Sequence, residues 1–316
     1  MPGSSTSCSA DSGDYLAELS DVFAGVVVTT PGAFTARVTR IRLRHLSLLR
    51  VQESLSRVAI VALPADRAFI SFTSDPALSV VWRGLTLAPG EIMFHGCGER
   101  LHQRTAGRSC WGMIGLSTAS LASLAKIVTG AALARPATGQ VLRPSPADRK
   151  RLVRIHREAA RLAETRPQIL GHPEVVRGME AELGEVLAEC LTSAEIRPET
   201  EAEQRANEIM VRFEDILSAC PDRDLQSADV CDALGVSDRA FHKLSLASLG
   251  VSARKYMHLR RLGLARAAII RAGSQTASIA EIACLTGFTK QSRFSAHYRD
   301  AFGETPSMTR QRASHV

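Results

Sequence analysis

GFTKQSRFSAHYRDAFGETP, residues 287–306, decides the reading of this chain. Phe294, Tyr298 and Phe302 sit four apart, so their rings line one side of a helix expected over residues 290–302. Lys290, Gln291, Arg293, Ser295 and His297 fall elsewhere on that cylinder. Gly287 supplies the left-handed backbone that stops a preceding helix, and Thr289 is expected to cap the helix that follows. Thr305 and Pro306 read as N-cap and first residue of a last short helix. Just upstream, Ser278-Ile279-Ala280-Glu281 has the spacing of a capping box, and Ile279, Ile282, Ala283 and Leu285 give its helix one apolar face.

Helix, glycine turn, and a second helix with a polar, basic start form a helix-turn-helix pattern. The pattern recurs about fifty residues earlier, which makes it an internal repeat. There, residues 228–234 follow Ser227, Gly235 turns, Ser237 caps, and residues 238–249 form the second helix. Between the units, residues 254–272 place Tyr256, Leu259, Leu262, Leu264, Ala265, Ala268 and Ile269 at helical spacing. A helix of that length spans roughly 30 Å, against about 34 Å for one turn of DNA. The two second helices are thereby expected to reach successive major grooves on one face of a duplex.

These residues resemble the DNA-binding domain of the AraC/XylS family of bacterial transcription regulators. Ile282-Ala283, Gly287-Phe288, Phe294, Tyr298, Gly303 and Thr305-Pro306 match the family's second motif, and Leu234 to Ser237, Arg239, Lys243, Gly250 and Ser252 match the first. Ser245 and Ala253 depart from it, standing where the family usually has Phe and Pro. The resemblance covers about a third of the chain. It implies a cupin-like β-barrel sensor ahead of the reader, helices that join two subunits, and contact with RNA polymerase.

The rest of the chain, read by itself, is plainer. Residues 23–29, 38–49, 57–63, 68–73, 79–82, 91–94 and 110–116 read as strands separated by Pro and Gly turns, the signature of a compact all-β barrel or sandwich. Ser117 is expected to cap a helix through residue 128. Residues 135–146 read as a Pro-containing connector, and residues 147–165 and 174–191 as a helical hairpin with one apolar seam. That seam packs either on the barrel of its own chain or on a second subunit, and the resemblance favours the second. Residues 1–20 are expected to be a disordered tail, 21–191 the β-rich sensor with its hairpin, 192–203 a polar linker, and 204–316 the DNA-binding domain, its first helix running over residues 204–220. The expected fold is thus α+β: a β-rich, cupin-like barrel, a helical linker or dimerisation hairpin, and an all-α C-terminal domain with two helix-turn-helix motifs.

Composition bounds function. The 316 residues carry a net charge of +7 and no apolar run of membrane-spanning length. From residue 236 onward, Lys and Arg outnumber Asp and Glu thirteen to four, whereas residues 201–235 hold three against nine. A basic excess so placed suits phosphate binding. Seven cysteines without a Cys-x-x-Cys fit reduced thiols in a cytoplasmic protein, and Cys190, Cys220, Cys231 and Cys284 read as small core residues. The sequence lacks nucleotide-binding loops and nucleophile elbows. His95, Glu99 and His102 lack the spacing of a cupin metal site and read as strand-loop-strand, so neither metal nor cofactor is expected; a cupin-type metalloenzyme fused to a DNA-binding module is the alternative.

The residues expected to contact DNA are Ser237, Asp238, Arg239, His242 and Lys243 in the first unit, and Thr289, Lys290, Gln291, Ser292, Arg293 and His297 in the second. Arginine to guanine and glutamine to adenine are the favoured pairings. Ser227, Ser278 and Thr305, at helix starts, are candidate phosphate contacts. Taken with the resemblance, this reads as a sequence-specific regulator, an activator by expectation. Its expected partners are promoter double-stranded DNA, a second copy of the chain and RNA polymerase. A small-molecule effector would act at the N-terminal domain, and no membrane partner is expected.

Overall fold

Period-two alternation sorts the N-terminal half into two antiparallel sheets. The computed structural model describes residues 3–75, 77–129, 135–221, 223, 225–272 and 277–314. In chain order these residues form β1 (Gly3–Ser9), α1 (Ser12–Glu18), β2 (Phe23–Val28), β3 (Ala36–Arg42), β4 (Leu46–Glu53), β5 (Arg57–Ala62), β6 (Arg67–Thr73), β7 (Val80–Trp82), β8 (Leu85–Thr86), β9 (Ile92–Phe94), β10 (Arg100–Thr105) and β11 (Ser109–Ser117). Then come α2 (Thr118–Thr129), β12 (Gln140–Arg143), the hairpin α3 (Pro146–Thr165) and α4 (Pro173–Thr192), and β13 (Glu195–Arg197). The remainder is helical: α5 (Glu201–Ala219), α6 (Ser227–Leu234), α7 (Asp238–Leu249), α8 (Ala253–Ala272), α9 (Ile279–Leu285), α10 (Gln291–Phe302) and α11 (Pro306–Ala313). No helix among the described residues is long and apolar enough to cross a membrane.

One sheet runs β1-β3-β4-β11-β6-β9-β12-β13 and the other β2-β5-β10-β7-β8. Val38, Val51 and Trp111 of the first face Phe23, Val61, Trp82 and Leu101 of the second across a shared core. Neighbouring residues in the same strands point the opposite way. Ile41, Leu48, Ile70 and Ile114 pack under α2, α3 and α4, against Leu152, Ile155, Leu183 and Leu187. On the far side of the second sheet, Val27 and Val58 join the core of the first helix-turn-helix unit, with Phe213, Phe241 and Tyr256. The molecule is therefore layered: hairpin helices, large sheet, small sheet, C-terminal helices.

Several expectations change. Residues 3–18 are not a disordered tail: β1 pairs with β3 over seven residues, and α1 buries Tyr15 and Leu19 completely. The polar composition of the first residues conceals this, because a ladder is bonded through the backbone and needs no apolar side chains. The strand read over 38–49 is two, β3 and β4, joined by a turn in which the Leu43 N–H donates to the Leu46 carbonyl; that turn contains no glycine or proline to announce it. The connector at 135–146 holds β12, and the stretch read as a linker holds β13, which pairs with β12 and extends the large sheet. The seam of the hairpin is buried against its own sheet. Ser117 caps α2 as expected, its Oγ accepting from the Ser120 N–H, while the side chains of Ile127 and Val128 lie outside the described residues. Cys190 and Cys231 are buried, but Cys284 is exposed and Leu285, expected on an apolar face, is 70% exposed.

The His95 and His102 region is the expected strand-loop-strand. His95 shares hydrogen bonds with Ser71 Oγ at 2.9 Å and Glu99 Oε2 at 3.2 Å, and Arg83 holds Glu99 at 3.0 Å. His102 points the other way, toward α5.

Candidate nucleic-acid interface

Both helix-turn-helix units are built from local signals. In the first, α6 ends on Gly235 at φ +67°, a conformation that L residues with side chains adopt at a cost. Ser237 Oγ then accepts from the Ala240 N–H and starts α7. Phe241 buries against Phe213, with ring centroids 5.1 Å apart. Ser245, where a larger residue was expected, is fully buried and returns its hydroxyl to the Phe241 carbonyl at 2.8 Å. Ser252 performs the start of α8, accepting from the Lys255 N–H, so Ala253 need not be proline.

In the second unit the Ser278–Glu281 capping box forms in both directions. Gly287 turns at φ +80°, and Phe294 and Tyr298 are fully buried on α8 through Leu262, Ala265 and Ile269. Thr305 caps α11 through the Met308 N–H, with Pro306 first in the helix. Thr289 does not cap α10. The N-cap is Lys290, with no side-chain hydrogen bond, and α6 likewise begins after Gln226 without a side-chain cap, Ser227 being its first residue. Those helix starts thus offer amides that no side-chain cap occupies, a favourable setting for anions. Ser278 and Thr305, in contrast, already spend their oxygens on capping.

A cleft of about 820 Å³ lies between the two units. Its walls are the start of α6, the first half of α8 and the start of α10. Arg254, Lys255, Arg261, Lys290 and Arg293 line it, and no Asp or Glu is among the lining residues described. Of the predicted DNA contacts, Ser227, Thr289, Lys290, Arg293 and His297 meet here. Gln291 and Ser292 are exposed on α10 outside it. Ser237, Asp238, Arg239, His242 and Lys243 are exposed on α7 but belong to a separate surface. Asp238 also serves its own helix, as an acid in the first turn beside the Cys231 thiol at 3.9 Å. His297 packs edge-on against His258, centroids 4.7 Å apart, and Arg261 covers Phe288 at 5.2 Å while donating to the Gly287 carbonyl. Arg254 and Lys255 were not among the predicted contacts. Their signal in the sequence is a pair of cations at the start of the connecting helix.

The helix-turn-helix units are tied to the N-terminal layers by buried charge on α5 and α8. Glu214 of α5 accepts from His102 Nε2 at 3.1 Å and from the Tyr256 hydroxyl, and Arg260 lies 3.4 Å away. Burial pushes the Glu214 carboxyl up, but the hydrogen bond and charge of His102, with Arg260 and Tyr256, hold it below the usual carboxylate range. Arg100 reaches Asp215 at 2.6 Å on the surface. In the second unit, Arg266 pairs with Asp11 at 2.6 Å and Glu304 at 2.8 Å, so the residue that caps α1 reaches the connecting helix. Adjoining the cleft, residues 28–31 lie beside His297 and Asp300 of α10.

A family model for a helix-turn-helix domain matches residues 230–312. No match was found among curated proteins. Among solved structures, an AraC-type transcriptional regulator from Chromobacterium violaceum is 26% identical, covers 36% of this chain and 97% of its own, and aligns with a TM-score of 0.32. A probable AraC family regulator from Rhodopseudomonas palustris is 28% identical over 34% of this chain and 98% of its own, with a TM-score of 0.31. An apo ToxT variant from Vibrio cholerae is 15% identical over 89% of this chain and 98% of its own, with a TM-score of 0.29.

Proposed function

We propose, from the match of residues 230–312 to a helix-turn-helix domain and the resemblance of their motifs to the AraC/XylS family, that the chain is a DNA-binding transcription regulator, an activator, controlled by a signal received in its N-terminal layers. The observation that carries this reading is the basic cleft, with no acid among its described lining residues, between two helix-glycine-helix units mounted on one 20-residue helix. Phosphates of the backbone between two successive major grooves would enter that cleft, held by Arg254, Lys255, Lys290 and the uncapped start of α10. Base edges would be read by the exposed residues of α7 and α10, among them Arg239, His242, Lys243, Gln291, Ser292 and Arg293, with Ser237, Asp238, Thr289 and His297 at the margins. The second unit meets the N-terminal layers through Arg266 and Asp11, and the first through Glu214 and His102. A signal would act by favouring one arrangement of these contacts over another, by no more than its difference in affinity for the two.

Promoter DNA, and hence the cytoplasm, is the working place this implies. A homodimer and a contact with RNA polymerase follow from the resemblance alone. Because the seam of the α3–α4 hairpin is buried in its own chain, the dimer would have to form through the hairpin's outer, charged face or elsewhere. Footprinting of the full chain across its genome, followed by fluorescence anisotropy on the recovered sites, tests the reading. Protected sites with a shared sequence spanning two helical turns are expected. A chain that binds all duplexes with equal affinity at moderate salt is not such a regulator.

A further inference from the structure

The outer face of the large sheet changes character along its strands. Under the hairpin helices it is apolar, at the row Ile41–Leu48–Ile114. One step along, the row Thr39–Arg50–Gly112 meets α3, where Gly112 leaves the space that the His156 ring fills: a Cβ there would stand 2.7 Å from His156 Cε1. Glu164 of α3 accepts from Thr39 Oγ at 2.7 Å and lies 3.9 Å from Arg50. One step further, the row Arg37–Gln52–Cys110 borders an open cavity of about 820 Å³.

Four arginines line that cavity: Arg37 on β3, Arg50 on β4, Arg108 in the turn before β11, and Arg157 on α3. Arg37 and Arg50 occupy diagonal positions on one face of a strand pair, where side chains stand about 7–8 Å apart and like charges repel. Arg50 has only the distant Glu164, and its Nε is buried without a hydrogen-bond partner. Arg37, Arg108 and Arg157 have no ion pair among the described residues. Two acids reach the same wall, and of these only Asp75 is left to offset four arginines. Glu53 faces inward and is committed to Tyr15, Arg57 and Ser109. Asp75 spends an oxygen on the Ala77 N–H at 3.0 Å.

We propose that this cavity is a binding site for a compact polyanion, a small molecule carrying two or more carboxylate or phosphate groups. Arginines from two strands, a turn and a helix line one open volume of small-molecule size, which suits an anion with oxygens on several sides and not a single point charge. The site lies in the N-terminal layers, apart from the basic cleft between the reading helices. It gives the signal invoked above a place and a chemical class, and it rests on that reading only for its regulatory meaning.

The test is calorimetric titration of the full chain at physiological ionic strength with citrate and, separately, with pyrophosphate. Saturable one-to-one binding of either is expected, and the stronger of the two tells carboxylate from phosphate. Arg37→Gln and Arg108→Gln, both exposed and outside every core, should each weaken binding about tenfold, the worth of one charge-assisted contact. Removing two arginines elsewhere, Arg177→Gln with Arg271→Gln, should leave it unchanged. Duplex DNA should change the affinity only to a finite, saturating extent, as coupling between two separate sites does. Absence of binding by both probes, equal loss in the control pair, or displacement that grows without limit as DNA is raised would overturn the proposal. Anisotropy on the same samples reports duplex binding independently, so failure here is distinguishable from failure of the regulator reading.

Discussion

Arg293 and Lys255 face the same cleft but belong to different helices. In the proposed interface Arg293, in the first turn of α10, would meet a base edge, whereas Lys255, at the start of the connecting helix, would meet phosphate. Arg293→Ala should therefore cost about 1–3 kcal/mol at the preferred site and relax sequence choice, while Lys255→Ala should weaken all duplexes alike and reduce the salt slope by about one. Anisotropy over a salt series with cognate and scrambled duplexes separates the two; identical behaviour of both variants contradicts the assignment. His156 shows how a single side chain can set a pH dependence. Burial, with a smaller contribution from the Arg50 charge, lowers its pKa from 6.5 to about 4, against the hydrogen bond its Nε2 makes to the Leu49 carbonyl at 3.0 Å. The unfolded chain then takes up this proton at higher pH than the folded one. Stability is full above pH 6.5 and erodes as pH falls to about 4, by roughly 3 kcal/mol from this group. Denaturant titrations between those limits should show a flatter pH slope for His156→Gln than for the parent chain.

Among the elements, the helices of the C-terminal region were legible because their ends are written in side chains. Ser237, Ser278 and Thr305 cap as the sequence implied, and Gly235, Gly250, Gly287 and Gly303 all take positive φ. Gly235→Ala has open space for its Cβ but an unfavourable backbone at φ +67°, so it should lower stability by about 1 kcal/mol without altering the fold. A thermal melt of the variant checks this, and an unchanged midpoint means that the turn relaxes. Thr289 has the hydroxyl that a cap needs, but the helix starts one residue later, so the cap position falls on Lys290, whose ammonium cannot accept a backbone N–H. The strands were less legible. β1, β12 and β13 are held by backbone ladders whose partners lie far away in sequence, and the β3–β4 turn carries no glycine.

At the scale of the molecule, the two halves share a core. Val27 and Val58 of the small sheet sit with Phe213 and Phe241, and His102 with Glu214. Both tryptophans, Trp82 and Trp111, lie in the sheets, so their fluorescence reports the N-terminal layers while helical circular dichroism also follows the C-terminal helices. The two signals should melt together in the parent chain. Glu214→Ala strands His102 and Arg260 beside an uncompensated site, should cost about 3–5 kcal/mol, and should pull the two transitions apart. Separate transitions in the parent chain would mean that the halves are not coupled through this core.

Residue order alone was enough for the two helix-turn-helix units, the caps at Ser237, Ser278 and Thr305, the aromatic core, and the α+β division of the chain. Those features depend on local backbone preference and on periodicities of a few residues, which side-chain order records directly. It took the folded chain to show that the amino terminus is a strand and a helix of the sheet layers, that the hairpin seam is spent within its own chain, and that arginines from two strands, a turn and a helix line one open cavity. Each of these is a meeting of segments distant along the chain, and such meetings are fixed by which faces remain to be covered once the local elements have formed.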